Sequence, residues 1–182
     1  MSAMSMGLDL AAFRTIVESD RKAVNEASRP AAQAGAQVLY DSVLQNVRGL
    51  GRKTGKLAAA IYQAYSPENS RNGKHQYNVS WNAGKAPHGH LVEFGYLQRY
   101  RMYQGNDGQI RPMVRPGMDG QKRPRRRASQ AEKDAYYVPR PGGPLHVPGK
   151  AFVRRAVDQF PKALDAAEVE FTQQLKKRGL IK

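Results

Sequence analysis

At 182 residues with 40% hydrophobic content, the chain fits one folded domain, or one with an appendage, and not a wholly disordered polymer. Thirty Lys+Arg against fifteen Asp+Glu give a formal charge of +15, a field that attracts nucleic acid, acidic lipid or an acidic protein face. Zero Cys excludes a disulfide scaffold, a thiol nucleophile and a cysteine zinc site, and with neither a signal peptide nor an apolar run near the ~18 residues of a membrane span, a soluble intracellular protein is expected.

Residues 1–50 read as helices. Leu10, Phe13, Ile16 and Val17 share one face of a short amphipathic run, and Ser28 before Pro30 reads as a cap that restarts the helix. Gly35, Leu39, Val43 and Val47 then recur at helical spacing. The alanines from Ala31 to Ala36 make this helix thin enough to lie close to a neighbour, and Gly49 and Gly51 end it. Residues 51–95 read as the sheet-forming region. A strand is expected over Ile61 to Ser66, turns over Pro67 to Asn72, and a half-buried antiparallel strand over His75 to Trp81, where Tyr77, Val79 and Trp81 alternate with Gln76, Asn78 and Ser80.

The composition changes after Tyr96. From Arg99 to Arg127 nine basic residues (Arg99, Arg101, Arg111, Arg115, Lys122, Arg123, Arg125, Arg126 and Arg127) face only Asp107 and Asp119, a net charge of +7. Within this 96–148 insert, Arg99 to Gln104 and Gln109 to Arg115 flank the hairpin turn signal Gly105-Asn106-Asp107-Gly108, with Pro112 marking an edge. A ribbon so poor in apolar area is expected to project and to gain order from a partner, and the Arg123 to Arg127 run to be mobile. Ser129 with Glu132 predicts a capped helix over Gln130 to Tyr136, and Pro139 to Pro148 reads as extended. Residues 149–182 carry the strongest helical stripe: Val153, Val157, Phe160, Leu164, Ala167, Phe171 and Leu175. Pro161 within it predicts one helix kinked near Val157.

Candidate chemistry is sparse. Gly49 to Lys56 lacks the glycine and the hydroxyl residue of a phosphate loop, because Leu50 and Leu57 occupy those places. His88, His90 and Glu93 do not converge on either a strand or a helix, so no metal and no cofactor are expected. Paired carboxylates and a G-x-S-x-G elbow are missing, which argues against an enzyme. The basic stretch, interleaved with Tyr96, Tyr100 and Tyr103, fits a nucleic-acid backbone, an acidic protein surface, or a merely solvated loop.

Three segments then fall in order: Thr54-Gly55-Lys56-Leu57, Leu91-Val92-Glu93-Phe94-Gly95, and Gly149-Lys150-Ala151-Phe152-Val153-Arg154-Arg155-Ala156. Together they resemble the tail-completion (head–tail joining, neck) protein family of long-tailed bacteriophages, over roughly Ala31 to Gly95 and Gly149 to Arg178. The long connection from Tyr96 to Pro148 departs from the family pattern. On the residues themselves, Thr54 suits a cap for a short helix at Leu57 to Ala60, with Gly55 permitting the tight entry. Gly95 ends the Leu91 to Phe94 element, and Phe152 reads as a core anchor. Glu93 either needs a donor, sits at a subunit boundary facing a neighbour's arginine, or is simply exposed.

The expected fold is α+β, one domain with a small, mostly antiparallel sheet packed by long N- and C-terminal helices and a basic projecting insert. The resemblance implies a structural virion protein. Its copies would form a homo-oligomeric ring, of six, between head-connector proteins and the tail-tube protein, with DNA in the lumen, no membrane, and assembly in the host cytoplasm. The alternative is a sequence-nonspecific nucleic-acid-binding protein.

Overall fold

In the computed structural model, which describes residues 10–51 and 55–182, a single helix opens the chain: α1 (Leu10–Gly49). The restart expected at Ser28 does not occur. Pro30 lies inside α1, where it removes the amide that would bond the carbonyl of Glu26. Ser28 does not cap; its hydroxyl donates to the carbonyl of Val24 at 2.8 Å. Ala27 and Ala31, on either side of the proline, are 0% and 7% exposed. Packing of that alanine face keeps the axis continuous across one missing hydrogen bond. Gly51, with φ of 82°, follows the end of α1.

A 3₁₀ turn (Ala58–Ala60) leads into β1 (Ile61–Tyr65), which pairs antiparallel with β2 (Tyr77–Trp81) in the register Ile61↔Trp81 to Tyr65↔Tyr77. The alternation expected on the second strand is only partial: Asn78 is exposed, but Gln76 and Ser80 are half-buried like Tyr77, Val79 and Trp81. Then come α2 (Gly89–Phe94), β3 (Gly95–Gln98), the hairpin β4 (Met102–Gln104) and β5 (Ile110–Pro112), α3 (Gln130–Tyr136) and β6 (Leu145–Pro148). The last segment is a 3₁₀ helix (Arg154–Gln159) running into α4 (Phe160–Lys177). The strands form three separate two-stranded antiparallel ribbons, β1–β2, β3–β6 and β4–β5, instead of one sheet. The class is α+β, as expected.

The chain divides into two compact units: residues 1–89 with 151–182, and residues 90–150, which take in the 96–148 insert. In the first, α1 packs along α4, and β1–β2 lies against α1. Its deepest side chain, Phe152, is fully buried and meets Trp81 edge-on at 5.5 Å between ring centres. Asn46 of α1 donates to the Phe152 carbonyl at 2.9 Å, so Phe152 is the anchor the sequence predicts.

The C-terminal helix differs from expectation in two ways. Pro161 does not kink an α-helix; it stands in the first turn of α4, where no amide donor is needed, and the turns before it are 3₁₀. The predicted stripe is also covered only in part: Val153, Ala167, Phe171 and Leu175 are half-buried, and Ala167 lies beside Gly35, but the middle of the stripe is not. Ala156 and Ala163 are 4% exposed, whereas Val157, Phe160 and Leu164 are 66%, 51% and 55% exposed. The cause is the closeness of α1. A Cβ on Gly35 would lie 2.8 Å from the carbonyl oxygen of Ala163, so only small residues fit between the helices. Gly35→Ala is expected to lower stability by about 1–3 kcal/mol through overpacking against backbone, measurable by denaturant unfolding.

Candidate interaction surface

The second and third signature segments meet in space. Gly95 (φ 84°) opens β3, and a Cβ there would lie 2.5 Å from the Val147 carbonyl oxygen and 2.7 Å from the Gly149 nitrogen. A Cβ on Gly149 would in turn fall 2.4 Å from the Glu93 carbonyl oxygen. Lys150 N donates to the Val92 carbonyl at 2.7 Å. The two glycines therefore let the end of α2 and the end of β6 touch backbone to backbone, and β3–β6 zips onward from Gly95↔Pro148 to Gln98↔Leu145. The extended character of Pro139 to Pro148 conceals β6, whose partner is remote in sequence.

In this clasp the charged residue is inside and the aromatic outside. Glu93 is 1% exposed and Phe94 is 62% exposed. The exposed reading of Glu93 is thus wrong, and so is a boundary position facing a neighbour, because the carboxylate is enclosed within its own chain. It is not among the buried polar atoms that lack a hydrogen-bond partner, in keeping with the donor it requires. Of the first signature segment, Thr54 lies outside the described residues. Gly55 has a φ of 71°, in keeping with the tight entry read for it, and half-buried Leu57 precedes the 3₁₀ turn without a side-chain cap. His88 and His90 are exposed while Glu93 is buried, and no group of three metal-ligating side chains converges among the described residues.

The basic insert folds on itself. Beyond the β4–β5 hairpin, whose register Met102↔Pro112 and Gln104↔Ile110 matches the predicted turn, bridges join Tyr100 to Pro139 and Val114 to Tyr137. Tyr137, 7% exposed, packs tilted against Tyr100 and edge-on against Tyr136, with ring centres 5.1 and 4.9 Å apart. These contacts tie the ribbon to its own unit. Nor does the 123–127 run hang free: Ala128 N donates to the Arg125 carbonyl at 2.9 Å, and Lys133 Nζ to the Arg126 carbonyl at 3.0 Å.

The nine basic residues divide into two kinds. Arg111 pairs with Asp107 across the hairpin turn. Arg115 Nε donates to the carbonyls of Asp134 and Tyr137, at 3.0 and 3.2 Å. Arg123 Nε donates to the Tyr137 hydroxyl at 2.8 Å, a bond that raises the arginine's pKa further. These three hold the unit together. Arg99, Arg101, Lys122, Arg125, Arg126 and Arg127 are exposed, and no side-chain hydrogen bond or ion pair engages them among the described residues. Lys122, Arg125 and Arg127 share a shallow concavity with Met118 and Tyr136. Six outward cations on a folded base present a surface suited to carboxylates or phosphates.

The predicted cap of α3 is present in full: the Ser129 hydroxyl accepts from the Glu132 amide, and the Glu132 carboxylate accepts from Ser129 N. Asp134 accepts from Tyr100 at 2.8 Å and from Gln130 at 2.7 Å. The Tyr100 bond chiefly holds the Asp134 carboxyl below its usual range, while burial first and the Asp134 bond second push the Tyr100 hydroxyl up.

Residues 11–95 match the family model described as "Bacteriophage HK97-gp10, putative tail-component". The chain is similar to a phage tail-component family. The match takes in the Thr-Gly-x-Leu and Glu-Phe-Gly segments and supports the resemblance to tail-completion proteins; the clasp's other half, at Gly149, lies beyond it. No curated protein and no solved structure matches the chain significantly. For a phage tail component, the location implied is the virion.

Two predictions follow from the geometry of the second unit. Gly95→Ala forces a side chain into the left-handed region and against the Val147 carbonyl, and is expected to cost about 1–3 kcal/mol, read as earlier loss of tyrosine near-UV dichroism on denaturation. Because the Asp134 pKa is lowered by folding, its stabilising contribution is complete above the ordinary value near 3.8 and is lost as pH falls through the lower folded value. Asp134→Asn is expected to flatten the acid limb of unfolding below that pH in a tyrosine-fluorescence titration.

Proposed function

We propose that this phage tail component is a structural, non-catalytic protein of the neck, a ring-forming tail-completion piece that docks the tail to the head connector around the DNA channel. The family match over residues 11–95 carries the reading. The six outward cations, set on a unit folded in advance, supply a docking face. Head-connector proteins and the tail-tube protein are its partners, six copies make the ring, and it joins them in the host cytoplasm before residing in the virion. Contact with DNA backbone is secondary, since a narrow lumen lined by free arginines would grip the duplex and slow its exit.

The test compares two charge-neutralised sets in a phage lacking this gene. Replacing Arg99 and Arg101 with Gln is expected to leave tails and filled heads unjoined in electron micrographs. Replacing Lys122, Arg125, Arg126 and Arg127 with Gln addresses the nucleic-acid alternative, with Arg123 retained because it holds Tyr137. If the isolated protein binds duplex DNA at submicromolar concentration with a steep salt slope, loses it in the second set, and joining survives the first, the neck reading is wrong and the nucleic-acid reading stands.

A further inference from the structure

The apolar stripe on the C-terminal helix has a charged rim. Asp158, Asp165 and Glu168 are exposed and fall on one row beside Val157, Phe160 and Leu164. None of the three carboxylates takes part in an ion pair among the described residues. Residues 158–170 hold four carboxylates against Lys162 alone, a net charge of −3, the most acidic stretch of a chain whose total is +15. Three large apolar side chains more than half exposed in adjacent turns, rimmed by unpaired carboxylates, are features of a docking face. Its occupant must be apolar and basic. Phosphate backbones and acidic bilayers are repelled by the rim.

The β4–β5 hairpin has that composition. Met102 and Ile110 are 38% and 53% exposed, and the register Met102↔Pro112 and Gln104↔Ile110 sets them on one face of the ribbon. Arg99 and Arg101, both exposed and without a side-chain hydrogen bond or ion pair among the described residues, adjoin it. Copies that each carry +15 repel one another, so a contact between them is favoured where a basic face meets an acidic one. We propose that the Val157–Phe160–Leu164 stripe, with its Asp158, Asp165 and Glu168 rim, receives the Arg101-bearing β4–β5 hairpin of a second copy of this chain. Two different surfaces of one chain then meet head to tail, the type of contact that closes into a ring. The inference rests on the ring-forming reading and assigns its copy-to-copy contact.

The chain has no cysteine, so engineered thiols report without background. Ile110→Cys combined with Leu164→Cys is expected to give, on oxidation of the full-length protein, a ladder of disulfide-linked oligomers. The two single variants mixed in equal amounts should give dimers only, and each alone none. Arg101→Glu should weaken self-association about tenfold in sedimentation, and Asp165→Arg should restore it in the double variant. Both positions are exposed, so neither change should disturb folding. A ring seen by native mass measurement that neither cross-links nor responds to the charge reversal overturns this contact and leaves the ring reading in place. The contact is also overturned by a disulfide closed within one chain, or by cross-linking of Ile110→Cys to itself. A monomer at every concentration overturns the contact and autonomous ring formation together.

Discussion

The approach of α1 to α4 at Gly35 and Ala163 is the constraint on which much of the first unit depends. At Gly35 even a methyl would press on the Ala163 carbonyl, and the buried residues nearby in sequence, Ala27, Ala31, Ala36, Ala156 and Ala163, are all small. A seam this close gains from dense van der Waals contact but buries little apolar area per residue. Phe152, Trp81, Val43 and Val47 supply the bulk elsewhere. The consequence is geometric: beside Gly35 there is no room for a large residue, and Val157 just before α4 and Phe160 and Leu164 on it are turned to solvent. An exposed row of that size is costly in a free protein and useful in one that assembles.

The second unit answers a different difficulty. A two-stranded ribbon is marginal by itself in water, and this unit contains two of them. It gains stability from backbone contact at Gly95 and Gly149, from the Tyr100–Tyr136–Tyr137 cluster, and from arginines used as donors to carbonyls and a hydroxyl. Guanidinium suits that use because its five donors form a planar fork and it retains its charge. A single residue type thus serves two ends in one stretch of chain. Arg111, Arg115 and Arg123 are internal braces, and the other six cations face outward.

Much of this was legible in the sequence because it is local. The hairpin at Gly105 to Gly108, the capping box at Ser129, the strand from Tyr77 to Trp81 and the anchoring role of Phe152 depend on patterns within a few residues. What was not legible depends on distant partners. The break expected at Ser28-Pro30 reflects local propensity, which the buried alanines on both sides override. The 3.6-residue stripe on the C-terminal helix was real, but periodicity reports that a helix has an apolar face, not that the face is covered. The alanines at 156 and 163, read with Gly35, were the signal that a second face makes the contact. Glu93 resisted for the same reason: it is buried, and the backbone that meets its carbonyl comes from Gly149, far along the chain.

A folded insert changes how assembly would be controlled. Disordered arms pay an ordering entropy at docking, and that cost can delay association until all partners are present. Arms that are already ordered forgo that delay and keep more of their interaction energy as affinity. Restraint then has to come from elsewhere, and charge is the available source. Chains of +15 repel strongly at low ionic strength, with a range set by the Debye length of about 8 Å at physiological salt. Three of the nine tract cations are already engaged in local hydrogen bonds or an ion pair, which fixes their positions without removing their charge from the field. Close approach is therefore favoured only in orientations that set cations against carboxylates, and a chain with so few exposed carboxylates has few such orientations. Scarcity of acid, more than abundance of base, is what makes the contact selective.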